Sequence, residues 1–196
     1  VSIMETPTID PKSIYYPPGG ILMWIIIFLE LVTFGIALIF MVVSAREEPE
    51  MFHDSRMLLN STYGAINTVF LLTSGFFMAR TVQLFKEGNI LRASVFLRLT
   101  MLGGLLFLAL KGFEYNDKLE AGLGLSYNTF FTYYWMLTLF HMVHVIVGLI
   151  ILWTVQRSIS KVPVNLKLED MEASAAFWHM CDLIWLLLFP ILYLIF

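Results

Sequence analysis

Five apolar runs, each about 20 residues or longer, restrict this chain to very few folds. They cover roughly residues 21–44, 62–84, 93–113, 128–155 and 175–196. A helix of about 20 apolar residues crosses the hydrocarbon core of a bilayer. Inside that core a segment must satisfy its own backbone hydrogen bonds, which a helix does. The chain therefore reads as an all-α polytopic membrane protein, a bundle of five transmembrane helices. Charge content agrees, since 14% of residues are charged and 59% hydrophobic, against about a quarter charged in a soluble domain. The links between runs are too short for a second domain, so residues 1–196 read as a single membrane domain.

Breakers mark the ends of the runs. "YYPPGG" precedes the first span, and its prolines and glycines forbid a regular helix. "LLNST" opens the second, where Asn60, Ser61 or Thr62 can cap. "EGN" at 87–89 separates spans two and three, and "EAGLGLSYN" separates three and four. Pro163 sits in the longest inner link. "VVSA" before Arg46 has the small residues of a signal-peptide cleavage site. The run before it is too long for a signal core, and Lys12 alone makes a poor basic leader, so it reads as a retained span.

Lysine and arginine give the direction. The amino-terminal side carries Lys12, Arg80, Lys86, Arg92, Arg98, Arg157, Lys161 and Lys167, and the other side Arg46, Arg56, Lys111 and Lys118. Eight against four places the amino terminus in the cytoplasm and the carboxyl terminus outside. A net charge of -3 with no clustered basic face gives no case for nucleic-acid binding. The single cysteine, Cys181, excludes an intrachain disulfide and any multi-cysteine metal site; it reads as a packing residue.

Ionisable groups inside a bilayer cost about 2.5 to 3.5 kcal/mol each at mid-helix, so those present call for partners. They are Glu30 in span one, Glu114 near the outer end of span three, His141 and His144 in span four, and His179 and Asp182 in span five. At about 1.5 Å per residue, Glu30, His144 and Asp182 fall at similar depths, between the midplane and the inner face. They meet if spans one, four and five pack together. Three readings stay open from residue types alone: polar links that set helix register, ligands to a metal or haem, or parts of a proton relay. Gly103-Gly104 and Gly75 with Ala79 are small-residue stripes for close helix approach. Trp24, Tyr127, Tyr133 and Tyr134 read as interfacial aromatics. The outer "REEPEMFHDSR" reads as a solvated loop with His53 exposed.

Four stretches in order resemble subunit III of the haem-copper oxidase superfamily, the cytochrome c and quinol oxidase subunit 3. "FWHMCDLIWLLLFPILYL" is similar to the family's closing helix, which typically reads Tyr-Trp-His-Phe-Val-Asp before a Trp- and Leu-rich run. "YYWMLTLFHMVHVIVGLIIL" resembles its His-x-x-His-Val helix with a downstream glycine. "LKGFEYNDKL" is similar to its Glu-Tyr segment, and "IIIFLELVTFG" to its helix with a mid-membrane glutamate. Departures are Ala176 and Phe177 before Trp178, Met180-Cys181 where Phe-Val is usual, and Thr33 in the helix of Glu30.

That resemblance implies a non-catalytic subunit of a bacterial terminal oxidase in the plasma membrane. It would stabilise the catalytic subunit I and support proton uptake in aerobic respiration. It implies no haem, copper or catalytic residue in this chain, those centres lying in the partner, and makes Glu30, Glu114, His141, His144, His179 and Asp182 structural or proton-related links. Bound phospholipid is compatible with it, although the lipid cleft of seven-helix members is not implied for a five-helix chain. "LNSTYGAINT" and "LLTSGFFMARTVQLFKEGN" also resemble the accessory subunit of bacterial nitric oxide reductases. An independent proton or solute transporter is a further alternative, though neither repeats nor broken helices are evident.

Overall fold

The computed structural model describes residues 19–161 and 166–195, which leaves Lys12, the "YYPP" stretch and Pro163 outside the described residues. The described residues form six α-helices and no strand. In order they are α1 (Ile21–Glu47), α2 (Pro49–Met57), α3 (Ser61–Lys86), α4 (Ile90–Glu120), α5 (Thr129–Ile159) and α6 (Leu168–Pro190). A π-helical turn, Ile191–Ile195, continues α6. Pro190 at the junction has no N–H to give to the helix ladder, and a wider turn follows it.

Five of these helices are long and apolar enough to span a membrane. They outrun the apolar stretches of the sequence: the third begins at Ile90 and ends at Glu120, and the last begins at Leu168. Hydrophobicity marks only the part suited to hydrocarbon, whereas caps decide where the helix stops. Asn60 Oδ1 accepts from the Thr62 N–H at 3.0 Å, Asn89 from Arg92 at 3.4 Å and Asn128 from Phe131 at 2.9 Å. Gly88 and Gly122 close the preceding helices with φ of 76° and 74°, a region that favours glycine.

The "REEPEMFHDSR" segment departs from the expected loop. It folds into α2, with Pro49 in its first turn, because it has an apolar side to bury. Phe52 is fully buried against Phe130, ring centroids 5.6 Å apart, and Ser55 accepts from Asn128 Nδ2 at 2.7 Å. His53 is exposed, as expected.

Helix α6 is the axis of the bundle, packing against α3, α5 and α1. Trp178 fills its centre. A Cβ built on Gly104 of α4 or Gly148 of α5 would lie 2.5 or 2.9 Å from the Trp178 ring, so only glycine fits at either place. The indole N–H donates to Ser74 Oγ on α3 at 3.0 Å, and Ser74 donates to the Thr100 carbonyl of α4 at 2.8 Å. One side chain thus registers four helices, and Cys181 packs beside it, fully buried. Helix α1 is held more lightly: 17% of its apolar stretch is buried, against 50% for α5 and for the last span.

Candidate functional site

The ionisable residues of the spans gather in three places. At the first, Lys111 and Glu114, one turn apart on α4, are both fully buried and paired at 2.9 Å. The Lys111 ammonium also donates to the hydroxyls of Tyr193 at 2.7 Å and Tyr134 at 3.2 Å. Both hydroxyls donate in turn to Glu114 Oε1, at 2.6 and 2.9 Å. An ammonium has three donors and each phenol has one, so every proton in the cluster has an acceptor. The network is closed, and it joins α4, α5 and the π turn. Trp185 and Tyr115 add ring contacts 5.3 Å from Nζ, on which no hydroxyl bond intervenes.

Two expectations are corrected here. Lys111 and Lys118, counted with the outer-side charges, are not free at that surface: Lys111 is 1% exposed, and the buried Lys118 donates to the Leu58 carbonyl at 2.5 Å. Tyr134 is not interfacial but fully buried beneath them. The signal in the sequence was the i, i+3 spacing of Lys111 and Glu114, hidden because the apolar run ends at about residue 113.

At the second place, His144 Nε2 on α5 stands 3.2 Å from Glu30 Oε2 on α1. His144 Nδ1 lies 2.8 Å from the Phe140 carbonyl, which can only accept, so Nδ1 carries a proton. Nε2 then faces the Glu30 carboxyl group across the α1–α5 interface. The contact lacks the alignment of a full hydrogen bond, since Glu30 Oε2 has no bonded partner. Phe34 lies edge-on to His144 at 5.7 Å and helps to seat α1.

His141, one turn earlier, stacks on Trp185 with centroids 5.5 Å apart and meets the edge of Phe107 at 5.7 Å. Neither of its ring nitrogens has a hydrogen-bond partner among the described residues. Rings occupy the space where a metal and its other ligands would have to sit. Among the described residues no group of three or more His, Cys, Asp or Glu side chains comes together to hold a metal ion.

The third place is on α6, where His179 Nδ1 is 3.4 Å from Asp182 Oδ2. A Cβ on Gly75 of α3 would overlap that oxygen, so the Gly75 and Ala79 stripe makes room for the carboxylate. Asp182 therefore turns toward α3 with His179, while Glu30 and His144 pair between α1 and α5. The three groups placed at one depth by the sequence divide between two helix interfaces.

Fold and side chains define a polytopic helical membrane protein whose intramembrane charges are largely neutralised from within. The family model for cytochrome c oxidase subunit III matches residues 57–195. The chain belongs to that family, subunit III of the haem-copper oxidases. It is 25% identical over 174 residues to the cytochrome bo(3) ubiquinol oxidase subunit 3 of Buchnera aphidicola, covering 88% of this chain and 84% of that one. It is 28% identical over 183 residues to the haem-copper oxidase subunit I+III of Aeropyrum pernix, covering 88% of this chain and 22% of that polypeptide. With the cytochrome c oxidase subunit 3 of Gallus gallus it shares 33% identity over 129 residues, 65% of this chain and 48% of the other. The chain thus spans less than half the length of some relatives it matches.

Proposed function

We propose that this chain is the subunit III of a bacterial haem-copper terminal oxidase, bound to a catalytic subunit that carries the haems and copper. In this role it extends the working life of that subunit and supports proton uptake from the cytoplasm, with its own amino terminus on the cytoplasmic side. The observation that carries the reading is how the ionisable groups are used. Lys111 and Glu114 are consumed in a closed network and His141 is walled by rings, so the chain offers stability to a neighbour and no reaction centre of its own.

Two further facts support it. A relative that joins subunits I and III in one polypeptide fits a working partnership between such chains. The Glu30–His144 pair sets two titratable groups 3.2 Å apart where a lightly packed helix meets the bundle, which suits a group that takes part in proton supply. With Lys111 and Lys118 withdrawn from the surface, the basic excess at the amino-terminal side becomes larger, in keeping with the proposed orientation.

The test is turnover in membranes with and without this chain. The initial rate of oxygen reduction is expected to stay within about twofold, while the number of turnovers before inactivation falls several-fold. An unchanged lifetime contradicts the proposed role. A companion that reduces nitric oxide instead of oxygen would move the same subunit to a nitric oxide reductase.

A further inference from the structure

Of Glu30, Glu114, His141, His144, His179 and Asp182, only His179 is exposed. Its side chain is 45% exposed, against 22% for Glu30, 12% for His144 and 9% for Asp182. It opens onto a groove between α3 and α6. The groove runs from Leu72, Phe76 and Leu186 past Gly75 and Asp182 to His179. A second hollow, sharing Ala79 and His179, continues it to the Lys86–Glu172 ion pair, 2.6 Å apart. Each half encloses about 300 Å³ (340 and 290 Å³).

Depth makes the exposure costly. The Lys86–Glu172 ion pair joins the end of α3 to the first turns of α6 and is taken as the inner edge of the hydrocarbon core. His179 and Asp182 lie seven and ten residues further, about 10 and 15 Å deeper at 1.5 Å per residue. That puts His179 about a third of the way into a hydrocarbon core about 30 Å thick, and Asp182 near its middle. Among the described residues Asp182 Oδ1 is buried without a hydrogen-bond partner, and the one polar contact of His179 is through Nδ1. Lipid tails cannot meet either need. The faces of α1 and α5 around Ile36 and Ile150 expose aliphatic residues that lipid suits well.

We propose that the α3–α6 groove, centred on His179, is the docking face for the catalytic subunit. One transmembrane helix of that partner lies along the groove and presents a hydroxyl or amide side chain to His179 Nε2 within the hydrocarbon core. Such a group both donates and accepts, so it serves the imidazole whether neutral or protonated. Ala79 leaves the α3 side of the groove shallow, which permits close helix approach. The inference rests on the proposed partnership with a catalytic subunit.

Photoreactive residues placed at Leu183 and Phe76, with controls at Ile36 and Ile150, test it in intact membranes. Cross-links to the catalytic subunit from Leu183 and Phe76, and none from the controls, are expected. Cross-links from Ile36 or Ile150 alone, or only lipid or quinone captured in the groove while the catalytic subunit still co-purifies, would overturn the docking face and leave the partnership intact. If no catalytic subunit co-purifies with the unaltered chain, the partnership itself fails. In the same complex, His179→Leu is expected to lower the fraction of chain retained through a detergent wash by about threefold, the usual size of one intramembrane hydrogen bond. His179→Gln, which keeps a hydrogen-bonding group, should restore most of it. Equal retention of His179→Leu and the unaltered complex would sink the role given to this side chain.

Discussion

Lys111 Nζ and Glu114 Oε2 lie 2.9 Å apart with almost no exposure, one helical turn from each other, and their two shared phenols leave no proton unbonded. Removing one partner strands a charge where water cannot reach it. Lys111→Met or Glu114→Leu alone should cost about 3–5 kcal/mol of stability. The double variant should cost less than either single one, because no lone charge remains. Thermal unfolding of the purified chain or its complex checks this, and additive losses would show that the pair is not the working unit.

Trp178 should be just as sensitive from its other side. Gly104→Ala and Gly148→Ala push a Cβ into its ring, while Gly35 and Gly112 have no neighbour within 4 Å. The first two should lower stability by about 1–3 kcal/mol, the range for overpacked cores. Gly35→Ala and Gly112→Ala should do no harm, and helix propensity favours them slightly. The midpoints of detergent or heat denaturation rank the four, and equal values would contradict the packing described.

The Glu30–His144 contact joins the most loosely held helix to the bundle. Glu30→Gln keeps the shape and removes the ionisable carboxyl group. It should slow proton uptake or shorten enzyme lifetime, while oxygen binding to the partner keeps its rate. Its cost in stability should stay near about 0.6 kcal/mol, an average intramembrane polar contact. Stopped-flow measurement of both processes checks the split, and unchanged uptake and lifetime would reduce the pair to packing.

Purified without companions, the chain should show no haem absorbance and no stoichiometric iron or copper by elemental analysis. His141 is the informative residue, since Trp185 and Phe107 fill the space beside it. A stoichiometric metal lost on His141→Phe would restore the ligand reading.

The five long helices were legible because apolar length is a property of each segment alone. So were the cap at Asn60, which acts within a few residues, and the small-residue stripes. Partnerships between helices were less legible. Glu30 and His144 meet as their depths suggested, yet Asp182, at a similar depth, turns toward Gly75 because helix azimuth is set by packing. Lys111 was misread as a flanking charge because the apolar run stops two residues after it, while the helix continues to Glu120. Helix α2 was hidden in a charged stretch, where only Phe52 hints at a buried side.

The most direct test is mild-detergent capture of the tagged chain from native membranes, followed by identification of its largest companion. A stoichiometric haem-copper catalytic subunit is expected. A chain recovered alone and fully functional after reconstitution would contradict the assignment.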